Sequence, residues 1–153
     1  MTIVKGNLLD AKVDAIMHQV NCQGVMGSGI AKQIRDKYPY VYKEYQKLCR
    51  KHKNNPSELL GCCQIIGTDD HHPRVINLFA QDKYGKDRCY TDYEALRWCL
   101  QYVNKRYYGL SVGLPYGMSC GLGGGDWRIV AKIIEEELKD CDVYVYKLTT
   151  DSK

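Results

Sequence analysis

The stretch Asn21-Cys22-Gln23-Gly24-Val25-Met26-Gly27-Ser28-Gly29-Ile30-Ala31 leaves one apolar segment and enters another of different periodicity. Before it, Val13–Val20 is mostly apolar, as expected of a strand buried on both faces. After it, Ile30, Ile34 and Tyr38 recur at helical spacing until Pro39 stops the helix. The glycines therefore sit at a strand-to-helix turn, the place where α/β folds bind ligands. Without Cβ atoms, backbone N–H groups there approach a phosphate closely, and a helix N-terminus adds unpaired amides and partial positive charge. The run is no Walker A loop, since no Gly-Lys-Ser/Thr follows. It also lacks a full G-x-G-x-x-G, because Lys32 stands where the third glycine would be. Taken alone, a plain turn with Ser28 as helix N-cap explains it equally well.

A second turn of the same kind changes that balance. Leu110, Val112 and Leu114 alternate as a strand ending at Pro115, and Ser119-Cys120-Gly121-Leu122-Gly123-Gly124-Gly125 then leads to a helix beginning near Asp126. Three consecutive glycines are costly in conformational entropy and hard to explain as ordinary turn chemistry. Two such turns at one sheet edge suit the two phosphates of a dinucleotide-like ligand, held from both sides.

The remaining pattern supplies the frame. Thr2–Val4, Cys62–Ile66, Val75–Phe79 and Val143–Tyr146 read as strands, with Thr68–Pro73 a polar turn. Tyr40–Lys53 reads as a helix, as do the stripes Tyr93, Leu96, Leu100, Val103 and Ile129, Val130, Ile133, Ile134, Leu138. Alternating helices and strands imply a mixed or mainly parallel sheet with helices on both faces. No linker, repeat or low-complexity run divides the chain, so one domain over residues 1–153 is expected.

Bulk composition narrows the function classes. The 153 residues are 44% hydrophobic and 26% charged, enough for a core of ordinary size. A net charge of +4 is mild, and its only dense basic cluster, Arg50-Lys51-His52-Lys53, reads as a solvated helix C-terminus. The eight cysteines contain no C-x-x-C pair, which argues against zinc and for reduced thiols. No metal or cofactor is called for. Met1-Thr2-Ile3-Val4-Lys5 runs directly into a strand pattern without a signal peptide, and no apolar run approaches the roughly 20 residues of a membrane span. A soluble, cytoplasmic monomer without membrane contact is the expectation.

These residues also resemble a known family. Gly6-Asn7-Leu8-Leu9, Val13-Asp14-Ala15-Ile16 and Asn21 through Ala31 look like the first half of a macrodomain, and Cys120–Trp127 resembles that family's second phosphate loop. The likeness covers essentially the whole chain. It is nearest to the small branch of terminal ADP-ribose protein glycohydrolases and yeast-type ADP-ribose 1″-phosphate phosphatases, with N-C-x-G-x-x-G-x-G-I-A in place of N-A-A-N. It implies a three-layer α/β/α macrodomain with a central mixed, mainly parallel sheet, and ADP-ribose or a derivative as ligand.

Residue by residue, the resemblance puts Asn7 and Leu8 at the adenine end, with Asn7 where macrodomains usually carry Asp. An Asn oxygen accepts one bond from the adenine amine without charge; a simple turn residue after Gly6 is the equal alternative. Asn21 matches the residue contacting the distal ribose, or else caps its own loop. Gly27, Ser28, Gly29 and Ile30 match the first phosphate loop; Ser119, Cys120, Gly121, Leu122 and Gly123 match the second. Met26 lines the distal ribose or sits in the core. Asp126 is the candidate for catalysis, against its reading as a helix N-cap. The branch's catalytic lysine and aspartate correspond to Gln81 and Gly123, which puts a lysyl-adduct mechanism in doubt; Lys83 and Lys86 are the nearby substitutes. Tyr84 and Tyr90 are candidates for a lid. His18 reads as a core histidine, His71 and His72 as solvated, and Cys120 as a small loop residue rather than a nucleophile.

Two functions follow from the resemblance. One is a hydrolase acting at the distal-ribose C1″ end, on ADP-ribose 1″-phosphate or on ADP-ribosylated protein or nucleic acid. The other is a binding module without turnover. A nicotinamide-dependent oxidoreductase on a Rossmann fold is weaker, given the absent third glycine and the second glycine loop.

Overall fold

The computed structural model describes residues 1–27, 29–67, 72–121 and 123–148. Ser28, Leu122 and the stretch 68–71, which includes His71, lie outside the described residues, as does 149–153. In chain order the elements are β1 (Thr2–Lys5), β2 (Ala15–Asn21), α1 (Gly29–Lys37), α2 (Pro39–Lys51), β3 (Cys63–Ile66), β4 (Arg74–Gln81), α3 (Tyr93–Arg106), β5 (Ser111–Pro115), α4 (Trp127–Glu137) and β6 (Asp142–Lys147). Single 3-10 turns at Leu8–Asp10 and Pro56–Leu59 complete the set.

The six strands form one sheet in the order β1-β6-β5-β2-β4-β3, parallel except for β3 against β4. The expected mixed, mainly parallel sheet is therefore present, and β3 is its antiparallel edge. Strand periodicity sorts the side chains between two layers. Ala15, Met17, Ile76, Leu78, Val112 and Leu114 pack with α3 and α4 residues such as Leu96, Leu100, Val130 and Ile134. Ile16 and Val75 face the other way, against Ile34 of α1 and Val41 of α2. Val20 and Phe79 do likewise with Tyr45 of α2.

Helix boundaries have local causes. Pro39 ends α1 and also serves as the first residue of α2, where its missing N–H costs nothing. The expected start at Tyr40 thus moves back by one residue. Asp92 and Asp126 cap α3 and α4, accepting from Ala95 N and Arg128 N.

One irregularity creates the site. β2 pairs with β4 from Ala15↔Arg74 to Asn21↔Gln81, but with β5 only at Ala15↔Val112 and Ile16↔Gly113. Toward their carboxyl ends β2 and β5 part, and a crevice opens above the middle of the sheet.

Candidate functional site

That crevice is a cleft of about 840 Å³ at the carboxyl ends of β2, β4 and β5. The first glycine turn forms one wall through Val25, Gly27, Gly29, Ile30 and Ala31. Pro115 to Ser119, with Gly121 and Gly123, form another. The loop after β4 contributes Tyr84, Gly85 and Lys86, and Gln19, Asn21 and Gln81 come from the strand ends. Of the expected ligand contacts, Asn21, Gly27, Gly29, Ile30, Ser119, Gly121 and Gly123 thus meet on one cavity.

The first turn is held from behind. The Asn21 side chain donates to Val25 O at 2.8 Å, and its oxygen accepts from Gln23 N at 2.9 Å and from the Tyr45 hydroxyl at 2.9 Å. Arg35 Nη1 donates to Met26 O at 3.4 Å while its guanidinium lies over the Tyr42 ring. Met26 is 1% exposed among Val20, Tyr45 and Phe79, so it anchors the loop in the core instead of lining the cleft. Gly29 opens α1 at φ +59°, and no described residue lies within 4 Å of where its Cβ would be. The first amides of α1 therefore border the cleft unobstructed.

The second turn obeys different physics. A Cβ on Gly123 would lie 2.6 Å from Thr91 Oγ1 and 2.8 Å from Ser119 O; one on Gly125 would lie 2.6 Å from Ser119 O. These glycines let the loop pack against the segment 88–91, whose Tyr90 and Thr91 amides donate to Gly123 O. The triple glycine has a packing explanation that sequence reasoning overlooked. Among the described residues of this turn, Gly121 is both on the cleft and clear of any described neighbour within 4 Å of its virtual Cβ.

Most other expected residues lie off the cleft lining. Asn7 caps the 3-10 turn by accepting from Leu9 N, and Leu8 is 3% exposed in the α1 layer. Cys120 donates its thiol to Met118 O at 3.2 Å. Burial, then the charge of Asp126, pushes that thiol up to about 11, so it is protonated at neutral pH. Asp126 is the N-cap of α4, and its carboxylate pairs with Arg128 at 3.0 Å. Hydrogen bonds from Arg128 hold that carboxyl below the usual range. The candidate base therefore faces its own helix rather than the cleft. Tyr84 is 54% exposed on the cleft rim, whereas the Tyr90 hydroxyl donates to Asp87 within the loop. His72 is exposed and meets the Tyr38 ring edge-on.

Beneath the cleft floor His18 is fully buried, its Nε2 at 2.6 Å from Asn77 Oδ1. Burial depresses its pKa to about 4, so it is neutral, and its Nδ1 has no partner among the described residues. All eight cysteines are free thiols.

Electrostatically the site is simple. Lys86 is the one ionic side chain among the described lining residues, and none of them is a carboxylate. One cation and a helix N-terminus favour an anion, while the Gln81 amide suits a hydroxyl group. Gln19 was not anticipated; the signal available was a polar residue in a buried, mostly apolar strand, two positions before Asn21.

The architecture is a mainly parallel α/β/α fold that sets two glycine turns over one anion-favouring cleft. The chain belongs to the Macro domain family, whose model matches residues 17–134. It is 29% identical to the ADP-ribose 1″-phosphate phosphatase of Saccharomyces cerevisiae, over 97% of this chain and 98% of that protein. It is 28% identical to the DNA ADP-ribosyl glycohydrolase of Mycobacterium tuberculosis, over 95% of this chain but only 42% of the relative. The solved macrodomain of Mycobacterium tuberculosis DarG is similar at a TM-score of 0.77 and 28% identity, covering 95% of each chain. Among the described residues, no helix is long and apolar enough to cross a membrane.

Proposed function

We propose that this chain binds ADP-ribose or a close derivative in the cleft. The pyrophosphate lies between the first turn, at Gly27, Ser28, Gly29 and Ile30, and the second, at Ser119, Gly121, Leu122 and Gly123. The observation that carries this reading is the convergence of both turns on one cavity at the start of α1. The distal ribose sits at the end of β2 and β4, where Asn21 and Gln81 are register partners. Asn21 serves there as the scaffold of the first turn, with its amide already bonded to Val25, Gln23 and Tyr45. Titration calorimetry with ADP-ribose tests the reading; absence of saturable heat at millimolar ligand would sink it.

A second reading adds turnover at C1″. It is favoured by the yeast relative, named a phosphatase and matched over 98% of its length. Against a carboxylate base stands the lining itself, which offers Lys86 and neutral amides. Incubation with ADP-ribose 1″-phosphate, and separately with ADP-ribosylated DNA, decides it. Phosphate or free ADP-ribose released in proportion to enzyme supports hydrolysis, and none at high enzyme leaves binding alone.

A further inference from the structure

Four polar side chains at the distal end of the cleft are joined into one network. Gln19 Nε2 donates to Gln81 Oε1 at 2.7 Å and to Thr91 Oγ1 at 3.0 Å. Gln19 Oε1 accepts from Ser119 Oγ, and Thr91 Oγ1 donates to Ser119 O at 2.7 Å. Gln81 Nε2 donates to Lys83 O at 2.8 Å. The network spans the ends of β2 and β4, the segment leading to α3, and the second glycine turn. Gln81, Thr91 and Ser119 are each no more than 9% exposed. Ser119 sits at φ +72°, a left-handed conformation that a non-glycine residue holds only under outside constraint.

We propose that Gln19 is a positioning residue whose amide locks the second glycine turn and Gln81 into the arrangement that receives the distal half of the ligand. Both Gln19 amide hydrogens are engaged within the network, so its orientation is set in advance. Held by Gln19 and by Lys83 O, Gln81 retains one N–H of its own, available to a ribose hydroxyl. Ser119, locked from both its hydroxyl and its carbonyl, fixes the turn carrying Gly121. Gly123 belongs to the same device, since any side chain there would collide with Gln19 Nε2 at 2.9 Å and with Thr91. This chain therefore has a neutral hydrogen-bonded latch at the position where the resembling branch carries its lysine and aspartate. The inference rests on the ADP-ribose reading, and its effect is confined to the half of the ligand beyond the first phosphate.

The test compares ADP-ribose with AMP on the intact chain, in the parent and in Gln19→Leu, with melting temperature as a control. Losing the preorganised donors is expected to raise the ADP-ribose Kd about tenfold while the AMP Kd moves by less than about twofold. Equal weakening of both ligands, or of neither, overturns the proposal. Thr91→Val and Thr91→Ser give an independent arm that needs no AMP saturation. The serine variant, keeping the hydroxyl, is expected to recover most of the affinity lost in the valine variant; indistinguishable Kd values would overturn the latch. A parent that binds no ADP-ribose refutes the functional reading itself and takes this inference with it.

Discussion

The two glycine turns look alike as strings of letters and differ as physical objects. In the first, Gly27 and Gly29 face outward: among the described residues Gly29 has no neighbour within 4 Å of its virtual Cβ, and Gly27 has only Val25 at 3.7 Å. Its rigidity comes from larger residues behind it, namely Asn21, Met26, Arg35 and Tyr45. In the second, Gly123 and Gly125 face inward against Ser119 and Thr91, and a Cβ on Gly124 would lie 3.0 Å from Cys89 Cα. A glycine-rich run can thus make room for a ligand or for the protein itself. Only the surroundings of each Cβ tell the two apart.

The largest effect expected concerns the frame from which both turns spring. His18 lies one residue before Gln19, with a folded pKa near 4 against 6.5 for a free ring. Because the depressed value belongs to the folded state, its contribution is complete above pH 6.5 and is lost as pH falls toward 4. That amounts to roughly 3 kcal/mol of stability. Urea unfolding at pH 7 and pH 4.5 measures it, and a His18 resonance titrating near pH 6.5 in the folded protein would contradict it.

Next comes Gly125→Ala, whose methyl would press on the Ser119 carbonyl. A loss of about 2 kcal/mol is expected from overpacking, read as a shift in the denaturation midpoint. An unchanged midpoint would return the triple glycine to a purely ligand-directed role. Asp126→Ala should lower the melting temperature by a few degrees through loss of the α4 cap, while Asp126→Asn keeps both the cap and any activity. Abolished turnover in the folded Asn variant would instead restore Asp126 as a catalytic group. Gly27→Ala should have the smallest effect on stability, within about 0.5 kcal/mol, since its methyl meets only Val25. Its ADP-ribose affinity should nevertheless fall about tenfold, as the methyl occupies the space a phosphate would need. The contrast between the two turns breaks if Gly27→Ala and Gly125→Ala alter the same property.

Much of the frame was legible because long apolar runs leave few options. β2 and β4 are almost wholly buried, and such runs between helical stripes imply a covered parallel sheet. Less visible was the antiparallel pairing of β3 with β4, because four residues carry no mark of strand direction. At the site, the sequence singled out Asn21 and both turns but not their division of labour. Met26 is apolar and next to a loop, a description that fits a cleft wall and a core anchor equally. Asp126 stands before a helix, and its side chain caps α4, a role the sequence offered beside the catalytic one. Gln19 escaped notice because its meaning depends on Thr91 and Ser119, 72 and 100 residues away.

The tilted contact of Tyr116 with Trp127, with ring centroids 4.8 Å apart, has an optical consequence. Tyr116 lines the cleft, so a nucleotide seated against it perturbs the surroundings of one of only two indoles in the chain. The other, Trp98, lies on the outer face of α3 against Gly61, away from the cleft lining. The protein thereby carries a built-in fluorophore beside the cleft, and replacing Trp98 by phenylalanine would leave an emission spectrum that reports occupancy of the cleft without any label.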